Sequence, residues 1–355
     1  MLLRWAAKAA MTRGLAQQAA IGYHSRLTHY RGKPYHEERA DMPSPHTRIS
    51  IIGCGHVGTS CAYAILQNRL AREIVLISGT RDHVEGEAMD LQQAVPLGSP
   101  IKIYAGTYTD AAESSIVIVT VGTPGKFQGS RLDMLAGNIV IVRACVQNLM
   151  AEGFDGVLIL ATNPVDVLTY IVQKESGLPP GRVIGSGTLL DTERLRHILG
   201  EHLDIDPRSV HAAVIGEHGD SSVAVWSAAQ VAGLSLTHYP GANNLPSHEE
   251  LLIAVRFAGP IVATLKGNTC FAIASCVTRI CEAIIRDERS VLTVSTTLTG
   301  QYGLHNVALS TPCVIGACGV ESVIELHLNK AEQQALESSA AILQRAYASL
   351  EPAQK

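Results

Sequence analysis

The junction between residues 48–52 and Gly53-Cys54-Gly55-His56-Val57-Gly58 constrains this chain more than any other feature. A β-branched run meets glycines spaced Gly-x-Gly-x-x-Gly, and residues 59–70 follow with Ala and Leu at helical spacing. Three glycines alone mean little in a chain that holds 31. Between a strand and a helix they have separate tasks. Gly53 permits the tight turn, Gly55 lets a pyrophosphate approach the backbone, and Gly58 lets the helix close on the sheet. The helix start then offers N–H groups and a positive dipole end to the anion. A dinucleotide-binding βαβ unit is expected here, with His56 and Val57 inside its turn.

The same rhythm continues. Apolar runs at 74–77, 101–104, 116–121 and 157–161 read as buried strands, and 84–94, 132–150 and 165–174 read as helices between them. Strands alternating with helices predict a parallel doubly wound sheet. Continuous Val/Ile runs fit strands covered on both faces. After about residue 185 the pattern changes. Strands are expected at 210–215, 222–226, 291–298 and 307–315, among long helices at 249–266, 269–286 and 330–350. Pro260 should kink or split the first of these helices. The chain thus reads as α/β, with a dinucleotide domain over 46–185 and a mixed α+β domain over 186–350.

Residues 1–45 read as a separate extension. Positions 1–41 hold seven Lys/Arg against three Asp/Glu, which leaves the remaining body at a net charge of −8. A mitochondrial presequence, an oligomerisation arm and an upstream extension ahead of Met42 all fit this composition. The whole chain carries −4, so its charge implies no attraction to nucleic acid or anionic membrane. No stretch approaches the ~18 apolar residues of a spanning helix. Eight cysteines include no Cys-x-x-Cys pair, and several sit in apolar runs, which fits buried, reduced thiols in a cytoplasmic protein. The mitochondrial matrix is the alternative if the extension is a presequence. No His/Cys/Asp cluster has metal-ligand spacing.

Three further stretches complete the pattern. Ile215-Gly216-Glu217-His218-Gly219-Asp220 resembles the active-site histidine signature of the lactate and malate dehydrogenase family. Ile184-Gly185-Ser186-Gly187-Thr188, running on to Asp191 and Arg194, resembles its substrate-carboxylate segment. Ala161-Thr162-Asn163-Pro164-Val165-Asp166 resembles its strand-end asparagine motif. With the glycine loop, the resemblance spans roughly residues 46–350 in family order.

The resemblance implies a Rossmann domain followed by a catalytic domain, and a nicotinamide-dependent oxidation of a 2-hydroxy acid. Histidine suits that chemistry, because it titrates near neutrality and can take or give the hydroxyl proton. His218 is the candidate acid/base, with Asp191 implied as its partner. Arg194, three residues on, would clamp the substrate carboxylate through paired hydrogen bonds. Arg131 is implied to close over the substrate on the loop 122–130, which begins at Gly122. Asn163 and Thr269 are implied to line the substrate and nicotinamide pocket.

Two positions depart from the family. The acidic residue that normally ends the second strand is replaced by Ser78, followed by Gly79, Thr80 and Arg81. Either a contact to NAD is lost, or Ser78, Thr80 and Arg81 receive the 2′-phosphate of NADP. The substrate discriminator, Gln in lactate enzymes and Arg in malate enzymes, aligns with Gly125, although Gln128 serves if the loop is shifted. The absence of a cation disfavours malate, and Thr269 favours L-lactate over bulkier 2-hydroxy acids. Arg196 and His211 match positions lining an inter-subunit fructose 1,6-bisphosphate site in allosteric bacterial members. A homo-oligomer, dimer or tetramer, is implied with them.

Overall fold

The structure, a computed structural model, describes residues 48–95, 100–123 and 131–350, with backbone alone for 131–134. Strand β1 (Arg48–Ile52) enters helix α1 (His56–Gln67) through the glycine turn. Alternation follows as β2 (Glu73–Ile77), α2 (Arg81–Ala94), β3 (Lys102–Ala105), α3 (Tyr108–Ala112), β4 (Ile116–Val119), α4 (Arg131–Ala151), β5 (Val157–Leu160), α5 (Val165–Ser176) and β6 (Val183–Gly185). These six strands are parallel, in the order 3-2-1-4-5-6.

The apolar runs are continuous because both faces of the sheet are covered. Ile49 and Ile51 of β1, with Ile116 and Ile118 of β4, enter one core. Ile52, Val117 and Val119 enter the other. Each such side chain removed from water contributes roughly 1.5–3 kcal/mol.

The second segment begins with α6 (Leu189–Leu203) and five short strands: β7 (Val210–His211), β8 (Val214–Ile215), β9 (Val223–Ala224), and the β10 (Gln230–Val231) to β11 (Leu234–Ser235) hairpin. Helices α7 (His248–Lys266) and α8 (Phe271–Ile285) precede β12 (Ser290–Thr299), β13 (His305–Gly316), β14 (Gly319–Val323) and α9 (Lys330–Ala348). The long strands β12 and β13 extend the first sheet, since β12 pairs antiparallel with β6 through Ser295 and Gly185. Nine strands therefore share one sheet among the described residues, across the 185/186 boundary. Helix α8 packs on α1, placing Ala274, Val277 and Cys281 in the same core as Ile49 and Ile65.

Three expectations are corrected. The run 210–215 divides into β7 and β8, because His211 pairs with Gln230 whereas Val214 pairs with Ala224. The expected strand 222–226 shortens to β9, because the chain turns into a 3₁₀ helix at Trp226. Pro260 does not split α7, which runs unbroken over 19 residues. Proline removes one backbone donor there, and it does so on an exposed turn. A Ser247/Glu250 capping box and Gly267 at φ 92° hold the two ends.

Helix α7 leaves Ile253, Phe257, Ile261 and Leu265 exposed, four residues apart on one stripe. No helix among the described residues is long and apolar enough to cross a membrane.

Candidate active site

Helix α6 starts where the chain leaves β6. Gly187 adopts φ +53°, and a Cβ there would crowd the Ser310 hydroxyl and the Ser295 backbone. One turn later, Asp191 and Arg194 share a face of the helix, and Arg194 Nη1 donates to Asp191 Oδ1 at 3.2 Å. The other oxygen, Asp191 Oδ2, lies 2.5 Å from His218 Nδ1. An ionised carboxylate only accepts, so Nδ1 carries the hydrogen and Nε2 is the ring atom left for substrate. Asp191 is buried, while the His218 side chain keeps 23% of its surface exposed.

The loop that carries His218 is tied down on several sides. Gly216 exchanges two 2.9 Å backbone hydrogen bonds with Ser310 of β13. The Glu217 N–H donates to Ser339 Oγ of α9 at 2.9 Å, and the His218 N–H donates to Asp166 Oδ2 of α5 at 2.7 Å. Beyond the loop, Arg256 Nε of α7 donates to Ser222 Oγ at 3.1 Å. A Cβ on Gly259 of α7 would lie 3.4 Å from Arg194 Nη2, so this helix borders Arg194 as well.

The electrostatics follow from these contacts. Burial alone would lower the proton affinity of His218, but the Asp191 charge and hydrogen bond, with Asp166 behind, outweigh it and raise the ring above its ordinary value. Burial alone would raise Asp191, yet His218 and then Arg194 hold it below the usual carboxylate range. For Asp166 burial outweighs its hydrogen bonds and the His218 charge, and pushes it up to about 6.

The dinucleotide side lies at the carboxyl ends of β1, β4 and β5. Gly53, at φ +105°, donates its N–H to Ile77 O at 2.8 Å and accepts Thr120 Oγ1 at 2.5 Å. A Cβ on Gly58 would overlap the Gly53 carbonyl, whereas one on Gly55 would meet open space. No side chain caps α1 and no acid occupies its first turn, so the cradle fits a pyrophosphate. His56 is exposed beside it, and Val57 packs on the core. Ser78 follows β2, and Arg81 opens α2 in an exposed ion pair with Glu85 at 2.5 Å. His83 Nε2 lies 2.9 Å from Cys54 O, which ties α2 to the glycine turn.

Asn163 follows β5, ahead of a cis peptide to Pro164. Its carbonyl accepts Asn138 Nδ2 at 2.7 Å, and Asn138 Oδ1 accepts the Thr123 N–H and hydroxyl, both at 2.8 Å. Gly122 precedes that hydrogen-bonded residue. Thr269 lies in the connection between α7 and α8. Gly125 and Gln128 lie outside the described residues, as does the Arg131 side chain. Arg196 donates to Ala212 O at 3.1 Å and pairs with Glu193 at 2.8 Å, while its neighbour His211 is exposed on β7.

The lactate/malate dehydrogenase NAD-binding domain model matches residues 47–185, and the α/β C-terminal domain model of the same family matches 188–352. The chain belongs to the lactate/malate dehydrogenase family. It is 42% identical over 306 residues to an L-lactate dehydrogenase of Priestia megaterium, covering 85% of this chain and 96% of that one. It is 44% identical over 300 residues to one from Thermoanaerobacter sp. (strain X514), covering 83% and 96%. The crystal structure of a minor L-lactate dehydrogenase from Enterococcus mundtii superposes with a TM-score of 0.83 at 37% identity, covering 87% of this chain and 99% of that one.

Within this family member, sequence reasoning missed the buried polar residues that hold the site together. Asn138 and Ser310 sit in ordinary helix and strand runs, and their partners lie 25 and 144 positions away.

Asp191→Asn removes the charge that raises His218. The ring should then lose its proton at lower pH than in the parent, moving towards the range of a free histidine. NMR titration of the His218 ring in both proteins measures this, and equal titration curves would contradict the electrostatic account.

Proposed function

We propose that this family member interconverts L-lactate and pyruvate, with residues 46–185 holding the cofactor and 186–350 carrying the acid/base. The observation that carries this reading is one carboxylate, Asp191, bonded to both a histidine ring and a guanidinium. Arg194 receives the substrate carboxylate and sets the orientation of the neighbouring carbonyl. His218 then donates the Nε2 proton to that oxygen as C2 is reduced, and it removes the hydroxyl proton in the reverse direction. The Asp191 carboxylate stabilises the imidazolium and fixes the tautomer throughout. NAD, when bound, supplies the hydride acceptor or donor, and Gly53, Gly55 and Gly58 would hold its pyrophosphate. Arg131 is assigned the closing loop, where it polarises the carbonyl and excludes water. Asn163 and Thr269 line the remaining pocket.

NADH is the preferred cofactor in this reading. Ser78 would not repel a 2′-phosphate, but the Glu85 carboxylate occupies the nearby Arg81. NADPH should therefore turn over more slowly rather than be excluded. Gly125 supplies no cation for a second carboxylate, which weighs against malate. The seven buried thiols suit a reducing compartment, and the proposed location is the cytoplasm, or the mitochondrial matrix if residues 1–41 are a presequence.

The α7 stripe of Ile253, Phe257, Ile261 and Leu265 is assigned to a second copy of the chain, in a dimer or tetramer. Arg196 and His211 are the effector candidates for fructose 1,6-bisphosphate in such an assembly.

Steady-state kinetics with pyruvate, oxaloacetate and 2-oxoisocaproate, each with NADH and NADPH, test the assignment. Pyruvate with NADH should give the highest kcat/KM, and fructose 1,6-bisphosphate should lower the KM for pyruvate. Faster turnover of 2-oxoisocaproate would transfer the substrate to a bulkier 2-oxo acid, and an unchanged KM would remove the effector. Light scattering should find an even-numbered oligomer that Phe257→Glu dissociates. A monomeric parent chain would contradict the role given to the stripe.

A further inference from the structure

Asp166 belongs to the strand-end motif, yet nothing in the reaction above uses it. The residue is buried, and an ionised carboxylate is costly there unless its oxygens are occupied. Partners from two other elements occupy them. Oδ2 accepts the His218 N–H at 2.7 Å, and Oδ1 accepts the Ser310 hydroxyl at 3.4 Å. That hydroxyl in turn accepts the Thr188 N–H at 3.0 Å, at the start of the helix bearing Asp191 and Arg194.

We propose that Asp166 is a positioning residue for the acid/base, fixing the His218 backbone relative to α6 and placing a second negative charge behind the imidazolium. This rests on the reading of His218 as the proton donor. Three successive N–H groups, those of Gly216, Glu217 and His218, are held by β13, α9 and α5 in turn. The first two acceptors are a neutral carbonyl and a neutral hydroxyl. A neutral group would satisfy the third N–H equally well, so what the carboxylate adds is charge.

Among the described residues, the charged groups facing His218 are Asp191 and Arg194 from α6 and Asp166 from α5, with Glu217 acting on Asp166. Asp191 and Asp166 strengthen the hold on the proton, and Arg194 opposes them. With its own titration raised by burial to about 6, Asp166 is mainly ionised at neutral pH, where pyruvate reduction needs the ring protonated. As pH rises the ring loses its proton and the rate falls. The second carboxylate moves that fall to higher pH.

Asp166→Asn keeps the shape and an acceptor for the His218 N–H while removing the charge. The alkaline fall in kcat/KM for pyruvate should begin at lower pH. The ratio of kcat/KM at mildly acidic to mildly alkaline pH should then rise about tenfold over the parent. The sign for stability runs the other way. A carboxyl whose titration is raised to about 6 in the fold loses stability as pH rises from its ordinary range through that value, so the Asn variant should lose less Tm than the parent between about pH 4 and pH 6. A lowered Tm and kcat at every pH, with the profile unmoved, would overturn the proposal. A parent enzyme with no alkaline fall would instead contradict the acid/base reading itself. Should the Asn variant not fold, deuterium exchange at the parent His218 amide decides. Exchange at least ~100-fold below the intrinsic rate is expected, and exchange at the intrinsic rate would overturn the assignment.

Discussion

Asp191 carries two loads at once. One oxygen holds the His218 ring at 2.5 Å, and the other receives Arg194 at 3.2 Å. Removing that carboxylate would leave a half-buried imidazole without its tautomer partner and a half-buried guanidinium without its counter-charge. Much of the second segment can be understood as the support that makes this pair tolerable. The Thr188 hydroxyl ties the start of α6 to the Val214 carbonyl, Gly187 lets the chain pass β12 and β13 closely, and Ser310 links the helix start to the loop that carries His218.

The sheet brings this pair to the cofactor cradle. Strands β1, β4 and β5 end at the glycine turn, at Thr120–Thr123 and at Asn163, which is the crevice where doubly wound sheets take their ligands. Strand β6 ends alongside them and delivers Ser186–Thr188 directly into α6. Antiparallel pairing of β12 with β6 then makes the second segment a continuation of the first sheet. Asn138 adds a cross-link at the crevice, since it joins Thr123 to the Asn163 carbonyl. A hydride-transfer site needs its groups held to within a fraction of an ångström, and this continuity supplies that rigidity.

Local motifs were legible because their physics is local. Gly53, Gly55 and Gly58 announce a turn whose demands extend over six residues, and the short Val/Ile runs announce strands covered on both faces. His218, Asp191 and Arg194 were legible only through family resemblance, because no spacing rule brings positions 191 and 218 together. The supporting polar residues were not legible by either route. Ser310 and Asn138 act through contacts between distant segments, and their local sequence looks like any helix or strand, while Asp166 lies inside a resembling motif that assigns it no role. The short strands escape a local reading for a related reason. Residues 210–215 form one apolar run, but Val210–His211 and Val214–Ile215 take different partners. Pro260 leaves α7 intact, since one missing donor on an exposed turn does not end a helix capped at both ends.

The central claim is that His218 is the group that moves the proton. The most direct test replaces it with Asn and follows pyruvate reduction and NADH binding in the same preparation. The account predicts unchanged NADH affinity, because the glycine cradle is untouched, and turnover lower by ~10²–10⁴-fold. Turnover within a few fold of the parent enzyme, at any pH, would contradict it.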